Sequence, residues 1–99
     1  MYQGIPGAGV TLSATTSGAA GSFPNNAGIN ASGVYISVSG FPAAIRMGKG
    51  AQTAVAADTV IGAGQGIFLA KGQGVDGVAA IGIGGTATVT FSPVDGNTY

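Results

Sequence analysis

The sequence of 99 residues is short of charge and lacks several reactive residue types. It contains no Cys, His, Trp or Glu, and only 6 of its residues are charged, three of each sign. Without His or Cys, the usual zinc ligands and the usual pairs of nucleophile and base are missing. We therefore expect no catalytic residue, no metal site and no cofactor, and we expect that the protein is not an enzyme. The absence of Cys also excludes a disulfide scaffold.

Further classes of function are excluded by charge and hydropathy. Three cations balanced by three anions cannot neutralise many phosphates, so we expect no nucleic-acid partner. No apolar run approaches the roughly 18 residues of a membrane span, so we expect no membrane partner. Small soluble proteins usually carry about a quarter of their surface as charged residues. A chain this poor in charge is more easily explained if neighbouring subunits cover part of its surface.

The residues that are present favour β-structure. Val, Ile and Thr total 26 residues, whereas Leu, Met, Gln, Lys, Arg and Glu total 11. β-branched side chains suit a pleated surface, and the scarce straight-chain residues are the better helix formers. We predict an all-β protein, a single small β-sandwich (jelly-roll-like) or a barrel. About seven short strands are expected, at residues 10–13, 34–39, 44–47, 52–55, 67–70, 78–83 and 86–91.

The predicted domain organisation has two parts. Residues 1–33 are uncharged and rich in Gly, Ser and Ala, and we predict an extended N-terminal arm with one short strand there. Residues 34–99 form the predicted β-sandwich body. In its first strand, alternation places Val34, Ile36 and Val38 on one face.

The Gly clusters and the Asp residues are better explained as turns than as binding sites. The Gly clusters at 62–66 and 82–85 do not match the spacing of phosphate-binding loops, so we predict turns, with a hairpin at Gly84 and Gly85. Turns are also predicted at residues 76–77 and 95–96, and Asp58 is predicted to cap a local turn. Pro93 is expected to end the last strand.

The aromatic residues are divided between core and surface. Phe68 and Phe91 are predicted to fill the core, and Tyr35 is predicted to lie on the outer face of its strand. The alternative for Tyr35 is an anchor at a subunit interface.

Two stretches of the chain carry a resemblance to a known class of protein. They are GVYISVSGFPAAIRMG at 33–48 and TAVAADTVIGAGQ at 53–65. Together with the Ala/Ile/Gly strand, the Thr-rich strand and the Pro-Val-Asp-Gly segment that follow, this region is similar to small virion proteins of tailed bacteriophages. The resemblance implies a β-sandwich that decorates or cements the exterior of the phage head. Such a protein binds as a homotrimer or dimer across neighbouring major capsid subunits.

The residues expected to contact a partner are Tyr2, Ile5 and Pro6 in the arm, with Arg46 and Lys49. Alternatives remain open at this point. One is a component of the phage tail or head–tail connector. Another, from a different class, is a surface-binding module: an ice-binding sandwich with Thr86, Thr88 and Thr90 in a ladder, or a glycan-binding sandwich with exposed aromatic side chains.

Overall fold

The part of the chain that the structure describes folds into nine β-strands. The computed structural model describes residues 2–4, 9–23, 29, 31–70 and 74–96, with the backbone alone for 2–4 and 95–96. In chain order, the strands are β1 (Tyr2–Gly4), β2 (Val10–Ala14), β3 (Ala19–Ser22), β4 (Gly33–Ser39), β5 (Ala43–Gly48), β6 (Thr59–Ile61), β7 (Gly66–Ala70), β8 (Gly77–Gly82) and β9 (Ala87–Gly96).

The strands form two antiparallel sheets that pack face to face. In the five-stranded sheet the order is β2, β9, β4 and β7, and β1 continues beyond β2 along the same side of β9. In the four-stranded sheet the order is β3, β8, β5 and β6. The prediction of an all-β sandwich is confirmed, with nine strands among the described residues in place of about seven. The predicted strand at residues 52–55 is wrong, because these residues lie in the connection between β5 and β6.

The pairing of the strands is nested. The first strand of the series pairs with the last, the second with the last but one, and so on, as in one long folded hairpin. These pairs are β2 with β9, β3 with β8, β4 with β7 and β5 with β6. Two further pairings, β4 with β9 and β5 with β8, close this hairpin into the two sheets. Nested pairing wrapped into a double sheet is the jelly-roll arrangement.

The core lies between the two sheets and comes from alternate positions of the strands. Val34, Ile36 and Val38 of β4 face inward, as the alternation predicted, and Val89 and Phe91 of β9 pack beside them. On the four-stranded sheet the inward positions hold Ala43, Ile45, Ile61, Val78 and Ala80. Because the inner faces are almost entirely aliphatic, their burial is the main favourable contribution to folding.

The N-terminal third differs from the predicted arm. Residues 1–33 contribute three strands rather than one, and Leu12, Ala14 and Phe23 are buried in the core. The composition gives little indication of the third of these strands, β3 (Ala19–Ser22), because Ala, Gly and Ser have weak strand propensity. The strand forms because of its tertiary packing. A Cβ atom on Gly21 would stand 3.1 Å from a methyl group of Leu12, so glycine leaves the room that Leu12 occupies.

The predicted hairpin at Gly84 and Gly85 is wrong. Residues 83–86 join β8 to β9, and these strands lie in different sheets. The close crossing of the chain lies beside this connection, at Gly82, the last residue of β8: a Cβ atom there would stand 2.6 Å from the carbonyl oxygen of Ala14. Gly84, within the connection, has a positive φ of 81°, a backbone conformation that favours glycine.

The last strand runs past Pro93 to Gly96, so the predicted strand end and the predicted turn at residues 95–96 are both wrong. On one side β9 pairs continuously with β4 across Pro93. On its other side β9 pairs with β2 as far as residue 91 and with β1 from residue 94. Pro93 therefore lies where that side has no partner strand, a position in which the missing N–H of proline is tolerated.

Candidate interaction surfaces

The outer face of the five-stranded sheet is covered by hydroxyl groups. The side chains that point outward from β2, β4 and β9 are almost all Ser or Thr, and we call them the hydroxyl face: Thr11, Ser13, Ser37, Ser39, Thr88, Thr90 and Ser92. All of them are exposed or half-buried. Hydroxyl groups both donate and accept hydrogen bonds, so this face can bind a polar surface without burying a charge.

The strand register arranges the hydroxyl face in rows. Thr11, Thr90 and Ser37 are opposite one another on three neighbouring strands, and Ser13 and Thr88 begin the next row. The Oγ1 atoms of Thr11 and Thr90 are 3.4 Å apart. Neighbours within a row are separated by the strand spacing of about 4.8 Å, and rows along a strand by about 7 Å.

Two aromatic rings lie beside the hydroxyl face. Tyr35 and Phe68 are opposite each other on β4 and β7, with ring centroids 4.7 Å apart and an interplanar angle of 54°. The predicted position of Tyr35 on the outer face is confirmed, whereas the predicted core position of Phe68 is wrong, because 54% of Phe68 is exposed. Ile67 and Leu69 take the inward positions of β7 instead. Gly66 leaves room for the Tyr35 ring: a Cβ atom there would stand 2.6 Å from its Cζ.

The described charged side chains belong to the other side of the molecule. Arg46, Lys49, Asp58 and Asp76 lie on the four-stranded sheet or its connections, and none of them is on the hydroxyl face. Residues 49–58 connect β5 to β6, and we call this connection the strap. Arg46, Asp58 and Asp76 make the side-chain contacts that hold it. The strap folds back over the outer face of the four-stranded sheet, where Gly50 and Gln52 lie against Gly77 of β8. Ala44 and Ala79 of this sheet are fully buried although they point away from the core.

Asp58 fastens the C-terminal end of the strap. Its Oδ2 accepts a hydrogen bond from the Val55 N–H at 2.8 Å, and its own N–H donates to the Val55 carbonyl at 2.9 Å, so the predicted turn cap is confirmed. Its Oδ1 accepts from Nη2 and Nε of Arg46 at 3.0 and 3.3 Å. The Val55 hydrogen bond first, and then the Arg46 guanidinium, lower the pKa of Asp58 below its ordinary value.

Asp76 fastens the N-terminal end of the strap. Its Oδ1 accepts a hydrogen bond from the Gly50 N–H at 2.9 Å. The turn predicted at residues 76–77 is wrong, because Gly77 is already the first residue of β8 and the Asp76 carbonyl accepts from the Phe23 N–H. Between its two fastened ends, the strap buries Ala54 against the sheet.

The residues predicted to contact a partner are not gathered at one place. Arg46 is engaged by Asp58, and Lys49 is exposed on the strap. Tyr2 belongs to β1, which pairs with β9 on the other sheet, and its side chain lies outside the described part of the chain. Ile5 and Pro6 lie outside the described residues altogether.

The sequence interpretation missed the hydroxyl face as a unit. Alternating Ser and Thr could be read in each strand separately, but only the register shows that β2, β9 and β4 place them side by side.

Within the described ranges, no group of three or more Asp, Glu, His or Cys side chains is close enough together to bind a metal ion. None of the described residues form a helix with the length and hydropathy needed to span a membrane.

Comparison with known proteins adds no relative. The sequence matches no family model, and neither the curated proteins nor the solved structures contain a significant match.

Proposed function

We propose that the protein is a structural component of a bacteriophage head, which decorates or cements the capsid exterior by binding across neighbouring major capsid subunits as a homodimer or homotrimer. The observation that carries the proposal is the hydroxyl face, a row-like array of Ser and Thr side chains without a described charge. Binding through such a face avoids the large cost of desolvating charged side chains.

Two further observations support an assembly role. The jelly-roll sandwich is an architecture of viral capsid domains, although it also occurs in lectins, so fold alone does not decide function. The sequence resemblance of residues 33–48 and 53–65 to small phage virion proteins points to the same role. As an oligomer, each particle-bound unit would use several copies of the face at once, so weak single contacts would become strong together.

The experiment adds charge to the hydroxyl face and measures binding to capsids assembled without this protein. In Thr88→Lys/Thr90→Lys, two ammonium groups would have to be buried or excluded from the interface, and we expect binding to weaken at least tenfold. The matched control is Val60→Lys, which adds a charge to an exposed position on the opposite sheet. Particles carrying the wild-type protein or the control should tolerate more heat than bare particles. Unchanged binding by the double variant would contradict the proposal.

The alternative of a tail or head–tail connector component uses the same chemistry at another place on the particle. It is distinguished by labelling: a gold-tagged protein should lie over the capsid faces if the proposal is correct, and at the tail or portal vertex if the alternative is correct.

A glycan-binding module is the second candidate, and the Tyr35–Phe68 pair beside the hydroxyl groups favours it. Exposed aromatic rings beside polar side chains are the features expected of a sugar site, because a ring packs against the apolar side of a sugar while hydroxyl groups bind its edges. A glycan array, repeated with Tyr35→Ala, tests this candidate. Specific binding that the substitution abolishes would favour glycan recognition over capsid decoration.

The ice-binding alternative rests on the threonines of the hydroxyl face. Thr88 and Thr90 point outward from β9, and Thr11 extends their ladder onto β2. A thermal-hysteresis measurement on the wild-type protein distinguishes this function from both others.

A further inference from the structure

The middle of the strap, residues 51–54, is a segment whose backbone groups have no hydrogen-bond partner among the described residues. Gln52 and Ala54 point toward the sheet, and Ala51 and Thr53 point to solvent, the alternation of a β-strand. Within the described part of the chain, none of the backbone N–H or C=O groups of residues 51–54 is hydrogen-bonded. A strand with unpaired backbone groups is a template for pairing with another chain.

A groove runs along this segment. Two adjoining hollows, of about 220 and 400 Å³, both border on Ala20 and Gln52 and so form one continuous groove between the strap and β3. The lining is made of small residues, including Ser17, Gly21, Ser22 and Gly77. These small side chains leave space for a further polypeptide backbone beside the strap, but they form no deep pocket for a large side chain.

One end of the groove carries a carboxylate. Asp76 lines this end and uses Oδ1 to bind the Gly50 N–H. No described residue binds its Oδ2, so this oxygen remains available to a cation. Lys49 of the strap forms no ion pair with Asp76, and its Nζ lies instead beside Gly74, 3.8 Å from where a Cβ atom would stand. The open Oδ2 of Asp76 therefore favours a ligand group that donates a charged hydrogen bond, such as the ammonium or guanidinium of a basic side chain.

We propose that this groove binds an extended segment of a partner polypeptide by strand addition to residues 51–54, with small side chains along Ala20 and Gly21 and a Lys or Arg side chain at Asp76. The unpaired backbone groups select a polypeptide over other ligands, since main-chain hydrogen bonds are what strand addition provides. Four paired residues span about 13 Å. The site lies on the face opposite the hydroxyl face, and it is independent of the proposed function.

The probe is the peptide acetyl-Ala-Thr-Ala-Thr-Ala-Lys-amide, titrated into ¹⁵N-labelled full-length protein. For antiparallel pairing, its C-terminal Lys falls beside Asp76. We expect amide chemical-shift changes confined to residues 50–54, 20–22 and 76–77, with a dissociation constant of about a millimolar. The matched control is the same peptide with alternate nitrogens N-methylated, which removes backbone donors but keeps the side chains. This control should bind at least tenfold more weakly.

Two substitutions test the two parts of the site separately. Ala20→Phe fills the groove from an exposed position and should abolish the shift changes, whereas Val60→Phe, exposed on the same sheet outside the groove, should not. Asp76→Asn keeps an oxygen that can accept from Gly50 but removes the charge. It should weaken binding of the Lys peptide severalfold and leave binding of a peptide ending in Ala unchanged.

Several results would overturn the proposal. These are no shift changes at 10 mM peptide, changes centred on another edge strand, or equal binding of the N-methylated peptide. A dimer in sedimentation that Ala20→Phe dissociates would assign the groove to a second copy of this chain instead of a partner segment. None of these measurements involves capsids, so failure here is distinguishable from failure of the proposed function.

Discussion

At the scale of single residues, the close approaches of the backbone depend on glycine. Gly77 is the clearest example, because the strap crosses β8 directly above it and the Gly50 carbonyl oxygen occupies the place where a Cβ atom would stand. Its backbone is ordinary extended strand, so the requirement for glycine at this position is steric and not conformational.

We therefore predict that Gly77→Ala is destabilising. The added methyl group displaces the strap, and overpacking of this kind costs about 1–3 kcal/mol of the free energy of unfolding. The measurement is urea denaturation followed by circular dichroism. Gly9→Ala is the control, since a Cβ atom at Gly9 would meet its nearest neighbour at an ordinary 3.6 Å. Its stability should remain within about 0.5 kcal/mol of wild type. Equal stability of both variants would contradict the steric explanation.

At the scale of elements, the strap is held by its ends. Asp58 and Asp76 each accept a backbone N–H of the strap, and the residues between them contribute little hydrogen bonding within the described chain. The sequence predicted the Asp58 cap from a local pattern, because the carboxylate and its partner Val55 are only three residues apart. The Asp76 contact joins residues 26 apart, and no local pattern could indicate it.

The pH dependence of stability follows from Asp58. Its pKa is lowered in the folded protein, first by the Val55 hydrogen bond and then by Arg46, so folding favours the ionised form. This contribution is present above the unfolded pKa of about 3.9 and is lost as pH falls through the folded value. We predict that the free energy of unfolding decreases below about pH 4 and that Asp58→Asn, already lacking the charge, shows a smaller decrease.

Urea denaturation at a series of pH values between about 6 and 2 measures this difference. The difference between the two proteins in these curves reports the contribution of the Asp58 carboxylate. Parallel curves for wild type and Asp58→Asn would show that the strap contact does not contribute to stability.

At the scale of the whole molecule, stability depends on the layer between the sheets. Phe91 is completely buried at the centre of that layer, and Phe68 lies on the outside of the same sheet. The two residues have the same side chain, so they form a matched pair for separating burial from residue type.

We predict that Phe91→Ala lowers the free energy of unfolding by about 3–5 kcal/mol, the usual cost of an aromatic cavity in a core. Phe68→Ala should cost about 1 kcal/mol, because it removes one aromatic contact from a half-exposed position. Thermal and urea denaturation of both variants test the pair. A domain of this size is stable by only about 5–15 kcal/mol, so we expect Phe91→Ala to unfold at clearly lower urea concentrations than the wild-type protein. Similar losses for the two variants would contradict the assignment of the core.

Alternation within a strand is a local property, and the sequence by itself determined it. The all-β class, the inward face of β4, the outward threonines of β9 and the Asp58 cap follow from residues within a few positions of each other. Where the local pattern is uniform, as in the apolar run of β7, it does not reveal which side chain faces inward, and Phe68 was misassigned for that reason.

Only the tertiary structure decided which strands lie side by side. Thr11 and Thr90 come into contact across 79 positions of sequence, and the jelly-roll pairing that joins them also builds the hydroxyl face. The strap and its groove likewise depend on β3, a strand of small residues that forms because β8 is there to pair with it. Such long-range pairings rest on the joint packing of both sheets, which no short stretch of sequence specifies.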